Sequence, residues 1–352
     1  LNPVLLDGSE GEGGGQILRT ALTLSLATGR PFVIENIRGN RKPPGLKAQH
    51  VASVLACAKL GSAEGAAVPG ASRLAFTPAH RAHAGSYRFD IGTAGATGLL
   101  LHAVSFPLWL ADGPTDLVLT GGTHADHAPC FDELVLGWAP LLARAGFPGS
   151  LELARPGYFP RGGGEVRVRI EPARPVRLEL GAASPPVSST VIARASGIPG
   201  NVGERLAARA RTRLEARLGF AVPSVAHTDV VHTDVSRSPG CAVTVAVVLE
   251  NGGRLAARAL GERGKPAERV ADEAVDRLLA DVLAGGTVDE HLADQLLVPF
   301  ALGAGGRFLT PRVTEHLRTN ASVIGRFLEG VKIEILPTED GGRALVSVER
   351  TS

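Results

Sequence analysis

The sequence predicts a mixed α/β fold: a large domain of three repeated units, each two helices on a small sheet, interrupted by a smaller inserted α/β domain. Three observations predict it. A Gly-rich or polar opening, an apolar helix, a strand and a second helix recur in that order three times. The pattern changes after "AASPPVSS" at 182–189, which reads as a linker. Finally, 352 residues with 44% hydrophobic content exceed the usual span of one domain, about 100–200 residues. The expected boundaries are 1–183 with 285–352 for the large domain and 184–284 for the insert.

In the first unit a helix is expected at 15–26, a strand at 31–37 and a second helix at 47–60. Val51, Val54, Leu55 and Ala58 recur at helical spacing there and predict its buried face. In the second unit "GTAGATG" opens a helix that runs to Trp109, 116–120 reads as a strand, and a helix covers 131–144. A strand at 165–170 follows. The insert reads as a strand at 190–195 and a helix at 202–218 with Leu206, Ala210, Leu214 and Leu218 in line. Two strands then meet at the turn Asn251-Gly252-Gly253. A helix opens at Pro266 and turns Val270, Ala271, Ala274, Val275, Leu278 and Leu279 to a core. The third unit is expected as a helix from near Leu292 to Leu302, a strand at 307–313, a helix at 320–328 and a strand at 332–336.

Bulk properties exclude several classes. The formal charge is only +2 and no run of like charge occurs. That excludes a basic stripe coating long nucleic acid and leaves room for a site gripping one phosphate-bearing end. Cys57, Cys130 and Cys241 are far apart without metal spacing, which suits buried thiols in a reducing cytoplasm. No apolar run is long enough to span a bilayer and the first residues do not read as a secretory signal. Methionine is absent, so Leu1 is not expected to be the translational start.

Chemistry concentrates in a few places. In "LDGSEGEGGGQILRT" one carboxylate, Glu12, lies in a run of glycines that opens into a helix, with Arg19, Arg38, Arg41 and Gln49 following. Glycines let backbone N–H groups approach an anion, a helix start adds free donors, and arginine forks match phosphate. A carboxylate among such cations fits a divalent metal between it and phosphates. The stretch matches neither a P-loop nor a Rossmann fingerprint. Asp294 and Gln295 open the third unit's helix, where they either cap it or contact a nucleotide's base or ribose. His316, in "TEHLRTN", stands where a strand hands over to a helix; an imidazole of pKa about 6.5 is largely neutral and nucleophilic at neutral pH. "HADH" at 124–127 and the doubled "HTD" at 227–229 and 232–234 lack a matching metal-ligand set.

Taken together, "DGSEGEGGGQILRTAL", "GNRKPPGLKAQH", "GYFPRGGG", "LADQL" and "HLRTN" resemble, in order and nearly end to end, the RNA 3′-terminal phosphate cyclase family. The resemblance implies units of two helices on a small four-stranded sheet, with the insert after the second unit. It implies ATP-dependent conversion of an RNA 3′-phosphate to a 2′,3′-cyclic phosphodiester, with release of AMP and pyrophosphate. By the same carry-over His316 is the nucleophile that becomes adenylylated, and Glu12 holds Mg²⁺ or Mn²⁺. Arg19, Arg38, Arg41, Gln49 and His50 line the phosphate site, while His102, His291, Leu292, Ala293, Asp294 and Gln295 contact ATP. The implied partners are ATP and RNA with a 3′-phosphate end, in the cytoplasm and without a membrane; a homo-oligomer is compatible with the sequence. Three positions depart from the family pattern: His102 is commonly Gln, His291 commonly Tyr, and Pro156 stands where a basic residue is preferred. A non-catalytic cyclase-like ribosome-assembly factor ranks lower, because such relatives lack the histidine. An enolpyruvyl transferase, which also uses repeated α/β units, needs no ATP and no such imidazole.

Overall fold

The computed structural model describes residues 2–64, 67–198, 201–220, 224–228, 237–339 and 341–350, the 224–228 strand by its backbone alone. Both "HTD" segments therefore lie outside the described residues apart from the backbone of 227–228.

The chain begins β1 (Val4–Asp7), α1 (Gln16–Thr28), β2 (Phe32–Glu35), α2 (Ala48–Gly61) and β3 (Leu74–Phe76). β1 and β2 pair in parallel, and β3 adds antiparallel to β2. Helix α1 ends at Gly29, whose left-handed backbone (φ 76°) lets its N–H donate to the Ser25 carbonyl. Leu18, Ala21, Leu22, Leu24 and Leu26 of α1 are fully buried, so most of the helix's circumference is enclosed.

Next come β4 (Gly85–Asp90), α3 (Thr97–Trp109), β5 (Thr115–Gly121), α4 (Phe131–Glu133), a π turn (Leu134–Trp138), α5 (Ala139–Arg144), β6 (Gly149–Arg155) and β7 (Gly164–Ile170). Their sheet runs β4-β5-β7-β6, with the first pair parallel and the others antiparallel. β8 (Leu178–Leu180) precedes the inserted elements: β9 (Pro186–Ser196), α6 (Asn201–Leu218), β10 (Ser224–Thr228), β11 (Gly240–Leu249), β12 (Arg254–Leu260) and α7 (Ala267–Leu283). These strands form their own sheet, β10-β9-β11-β12. The chain closes with α8 (Glu290–Leu302), β13 (Gly306–Thr310), α9 (Glu315–Phe327), β14 (Val331–Pro337) and β15 (Ala344–Arg350). β8 pairs in parallel with β13 across the insert, completing a sheet ordered β14-β15-β13-β8.

Several expectations need correcting. Among the described residues the first sheet has three strands, not four. The first strand of the insert starts at Pro186, inside the expected linker. On α2 the buried residues include His50, Ser53, Val54, Cys57 and Leu60, whereas Leu55 is 54% exposed, so the face is rotated from the one its aliphatic spacing predicted. Small residues can line a close helix contact without reading as hydrophobic.

The expected helix over 131–144 is continuous but slips into a π turn, and Pro140 supplies the reason. Proline has no N–H to give the carbonyl four residues earlier. The Ala139 N–H reaches back to the Leu134 carbonyl, and the Leu136 carbonyl is taken by Arg254 Nη1 of β12 at 3.0 Å. Pro107 in α3 acts likewise: the Ala103 carbonyl accepts from Thr23 Oγ1 of α1 at 3.1 Å. In both helices a missing backbone bond becomes a tie to another element.

Buried apolar side chains fall into two clusters. One runs from Val4 to Leu180 and from Val288 to Val348; the other lies wholly between Val191 and Leu278. Arginines join them. Arg194 of β9 grips the Asp132 carboxylate of α4 through Nε and Nη2, both at 2.8 Å. Arg258 of β12 pairs with Glu133 at 3.0 Å and donates to the Ala128 carbonyl at 2.7 Å. Arg144 donates to the Asn251 and Gly252 carbonyls at the β11–β12 turn. Burial would raise the Asp132 carboxyl, but hydrogen bonds from His124 and Arg194 hold it at about 2. Its contribution to stability is therefore complete above its ordinary value of 3.8 and is lost as pH falls through about 2.

Asp132→Ala would leave two buried cationic or polar partners without their acceptor. Denaturant unfolding should show a loss of about 3–5 kcal/mol near neutral pH; a change within about 0.5 kcal/mol would mean the clamp adds nothing.

Candidate active site

The Gly-rich loop between β1 and α1 is shaped by what lies against it. Gly11 and Gly13 hold left-handed backbone (φ 58° and 59°). A Cβ on Gly11 would collide with Thr319, and one on Gly14 with the carboxylate of Glu12 itself. Side chains here would push the loop off α9 and the carboxylate off the loop.

Helix α9 starts earlier than its apolar spacing predicted. Thr314 caps it, its Oγ1 accepting from the Leu317 N–H at 3.1 Å, so the helix opens at Glu315 rather than 320. His316 therefore sits in the first helical turn and not in a connecting loop. Asn320 then falls on the buried face between Leu317 and Val323. Its Oδ1 accepts from Thr20 Oγ1 of α1 at 2.6 Å and its Nδ2 donates to the Asp294 carbonyl of α8 at 2.7 Å. One buried amide thus locks three helices, with α1 from the start of the chain against two from its end. No role was assigned to Asn320 from sequence, although an amide in register with an apolar stripe is a readable signal.

That lock brings His316 to Glu12. His316 Nε2 lies 3.0 Å from Glu12 Oε2, and Arg41 Nη2 lies 2.9 Å from the same oxygen. The hydrogen bond to Glu12 raises the His316 pKa above its ordinary 6.5, with burial opposing. Burial would raise Glu12, but the His316 hydrogen bond and the His316, Arg41 and Arg19 charges bring it below 4.5. Arg19, on α1, donates to Gln16 Oε1 at 2.9 Å. Burial draws Arg19 down to about 10, against the attraction of Glu12 and Asp294. Burial raises the Asp294 carboxyl to about 6, with His316, His291 and Arg19 opposing.

A cleft of about 780 Å³ opens from this cluster. Gln16, Arg19, His102, Asp294, Gln295 and His316 line it, and β11, β12 and α7 of the insert contribute its other wall. The His102 ring lies against Trp138 with centroids 4.9 Å apart. Its Nε2 is buried without a hydrogen-bond partner, and burial, then Arg19, draws its pKa down to about 3. It is a neutral ring with one unused polar atom at the cleft.

The remaining candidates are placed differently from one another. His291 is exposed at the cleft, and Leu292 lines it while packing on Gly137. Ala293 is fully buried and makes no part of the cleft wall. Asp294 does not cap α8: the cap is Asp289, whose Oδ1 accepts from the His291 and Leu292 N–H groups. Arg38 does not face the cleft either; its Nη1 donates to the Pro43 and Gly45 carbonyls, both at 2.9 Å, and so holds the loop that carries Arg41. His50 is buried and its Nδ1 accepts from the Lys47 N–H at 3.0 Å, which puts the ring proton on Nε2, beside Gly15 and Arg19. Burial, then Arg19, takes its pKa down to about 3. Gln49 lies against Gly95 of the "GTAGATG" loop.

Among the described residues no three His, Cys, Asp or Glu side chains converge as a metal cage. Glu12 offers one carboxylate, with one oxygen engaged by His316 and Arg41. This donor set fits a divalent ion that takes most of its ligands from phosphate oxygens and water, as Mg²⁺ does. In "HADH", His124 is already occupied, with Nδ1 2.8 Å from Thr123 Oγ1 and Nε2 3.3 Å from Asp132.

Comparison with known proteins adds a second line of observation. A family model described as RNA 3′-terminal phosphate cyclase matches residues 10–335. A protein of that name from Ralstonia nicotianae is 42% identical over 346 residues, covering 97% of this chain and 96% of its own. One from Pyrobaculum neutrophilum is 40% identical over 352 residues, covering 98% of each. Among solved structures, the enolpyruvyl transferase NikO from Streptomyces tendae aligns over 46% of this chain and 33% of its own, at 14% identity and a TM-score of 0.26, a likeness too slight to bear on fold or function.

Two outcomes are expected of this cluster. In metal-free, nucleotide-free protein, NMR titration of the imidazoles should place His316 above 6.5, and Glu12→Gln should move it down; an unmoved His316 would break the pairing. Asn320→Ala should cost about 1–3 kcal/mol in unfolding free energy, because the Asp294 carbonyl and Thr20 hydroxyl lose their partner inside the protein.

Proposed function

The chain belongs to the RNA 3′-terminal phosphate cyclase family, and from that premise we propose that it converts RNA 3′-phosphate ends to 2′,3′-cyclic phosphodiesters using ATP, with His316 as the covalent nucleophile. The observation that carries the residue assignment is the 3.0 Å contact between His316 Nε2 and Glu12 Oε2 at the head of a cleft.

A phosphate monoester is a poor electrophile with a poor leaving group, so the reaction is divided into exchanges. A ring nitrogen of His316 attacks the α-phosphorus of ATP; an N–P bond forms and pyrophosphate leaves. An oxygen of the RNA 3′-phosphate then attacks that phosphorus, freeing the imidazole and forming RNA(3′)pp(5′)A. The adjacent 2′-hydroxyl, losing its proton, attacks the terminal RNA phosphorus and expels AMP. This last step is intramolecular, so the ribose itself supplies most of the orientation.

The chain's own residues supply charge and placement. Only the deprotonated ring attacks, so the proton on Nε2 must leave, with Glu12 Oε2 as its nearest acceptor. Arg19 and Arg41 stand beside that carboxylate and meet the negative charge of the phosphates. Arg38 and His50 brace the Arg41 loop and the start of α2, and Gln49 lies against Gly95. The positive end of the α9 dipole, at whose first turn His316 sits, favours an anion. His102, His291, Leu292, Asp294 and Gln295 frame the nucleoside, with Ala293 as packing behind them. Mg²⁺ or Mn²⁺, held by Glu12 and the triphosphate, would neutralise charge on the phosphates.

The division into 1–183 with 285–352 and 184–284 belongs to the same proposal, supported by the two separate buried clusters. A cytoplasmic location is likewise inferred from the three buried free cysteines. No helix among the described residues is long and apolar enough to cross a membrane.

End-group analysis of a 3′-phosphorylated oligoribonucleotide after treatment with the protein, ATP and a divalent ion tests the reading. A cyclic end with AMP and pyrophosphate is expected, and His316→Ala should lower the rate on the order of a thousandfold or more. A 3′-phosphate left intact by the wild-type protein would overturn it.

A further inference from the structure

Phe159 is 80% exposed, and no other phenylalanine among the described residues is so open to solvent. An apolar ring left in water calls for an explanation, and loop looseness does not provide one. The preceding Tyr158 is buried, with its ring stacked on His124 at 5.2 Å. The Gly157 N–H donates to Thr123 Oγ1 and the Thr123 N–H to the Gly157 carbonyl, both at 2.9 Å. The Gly162 N–H donates to the Tyr158 carbonyl at 2.8 Å and the Arg161 N–H to Ser238 Oγ at 3.1 Å. The loop backbone is thus tied on both sides of Phe159, and the ring is left exposed between those anchors.

Phe159 also lines the same cleft as His316. Arg263, exposed in the loop after β12 on the insert's wall of that cleft, has no ion pair among the described residues. An exposed ring on an anchored loop and a guanidinium without an ion pair among the described residues, both lining one channel, match single-stranded nucleic acid, whose bases stack on aromatic side chains while its phosphates meet cations. The overall charge of +2 leaves little long-range attraction, so a stacking contact has to supply much of the hold on the strand.

We propose that Phe159 is a binding residue for the RNA strand, stacking on the base of a nucleotide upstream of the 3′-phosphate end, with Arg263 meeting the backbone opposite. The inference rests on the cyclase reading above. It gives the inserted segment a use: with the Phe159 loop it forms a channel that selects a strand over a lone terminal nucleotide.

The test compares wild type, Phe159→Ala and Phe159→Trp in two assays: labelling of the protein by α-labelled ATP, and steady-state cyclisation of either an unstructured 3′-phosphorylated oligoribonucleotide or a nucleoside 3′-phosphate. Phe159→Ala should label normally, raise KM for the oligoribonucleotide about tenfold with kcat little changed, and leave the nucleoside 3′-phosphate unaffected. Phe159→Trp should restore the low KM. Normal labelling with an unchanged oligoribonucleotide KM would overturn the inference, as would an equal loss for both substrates. Absence of labelling and cyclisation in the wild type would instead strike the cyclase reading itself.

Discussion

The contact between Glu12 and His316 sets the terms for everything around it. It joins a glycine loop near the beginning of the chain to the first turn of α9 near its end, at 3.0 Å. No local propensity produces such a meeting. It depends on α1 lying against α9, on Asn320 holding both α1 and α8, and on Thr314 starting α9 early enough to place the imidazole in its first turn. It also determines the resting chemistry. The carboxylate favours the protonated ring, and the His316 hydrogen bond and charge, with the Arg41 charge, favour the ionised carboxylate. Each group thus favours the form of its partner that binds it.

The wall facing this pair comes from a segment with its own apolar cluster. Arg194, Arg254 and Arg258 fasten it to the 125–136 region, and Arg144 reaches the other way to the β11–β12 turn. Several of these arginines take backbone carbonyls, and that of Leu136 is available because Pro140 has no N–H to offer it. Such directed polar contacts define an orientation in a way that a flat apolar seam would not. The result is a cleft whose two walls stand in a defined relation, with the Phe159 loop at their edge.

The parts of this arrangement legible in the sequence were those with local causes. Glycine runs opening helices, the Asn251-Gly252-Gly253 hairpin, the α7 core face and the grouping of Glu12 with Arg19 and Arg41 could all be read from residue types and spacing. The less legible parts depend on contacts distant in the chain. Arg38 resembles a phosphate ligand by type, yet two carbonyls of its own loop take its guanidinium. The α2 face is set by neighbouring helices that accept His50 and Ser53 where aliphatic residues were expected. The α9 start was hidden because periodicity begins with apolar residues, while a helix begins at its cap. Asn320 was visible as a letter in a motif, but its function as a three-helix lock required knowing what lies 26 and 300 residues away.

The most direct test of the account is the location of the adenylate. Incubation with ATP and a divalent ion, tryptic digestion at neutral or mildly alkaline pH to spare an acid-labile phosphoramidate, and mass spectrometry would isolate the 313–318 peptide, whose one histidine is His316. An AMP adduct is expected on that peptide and on that ring. An adduct confined to any other peptide would contradict it.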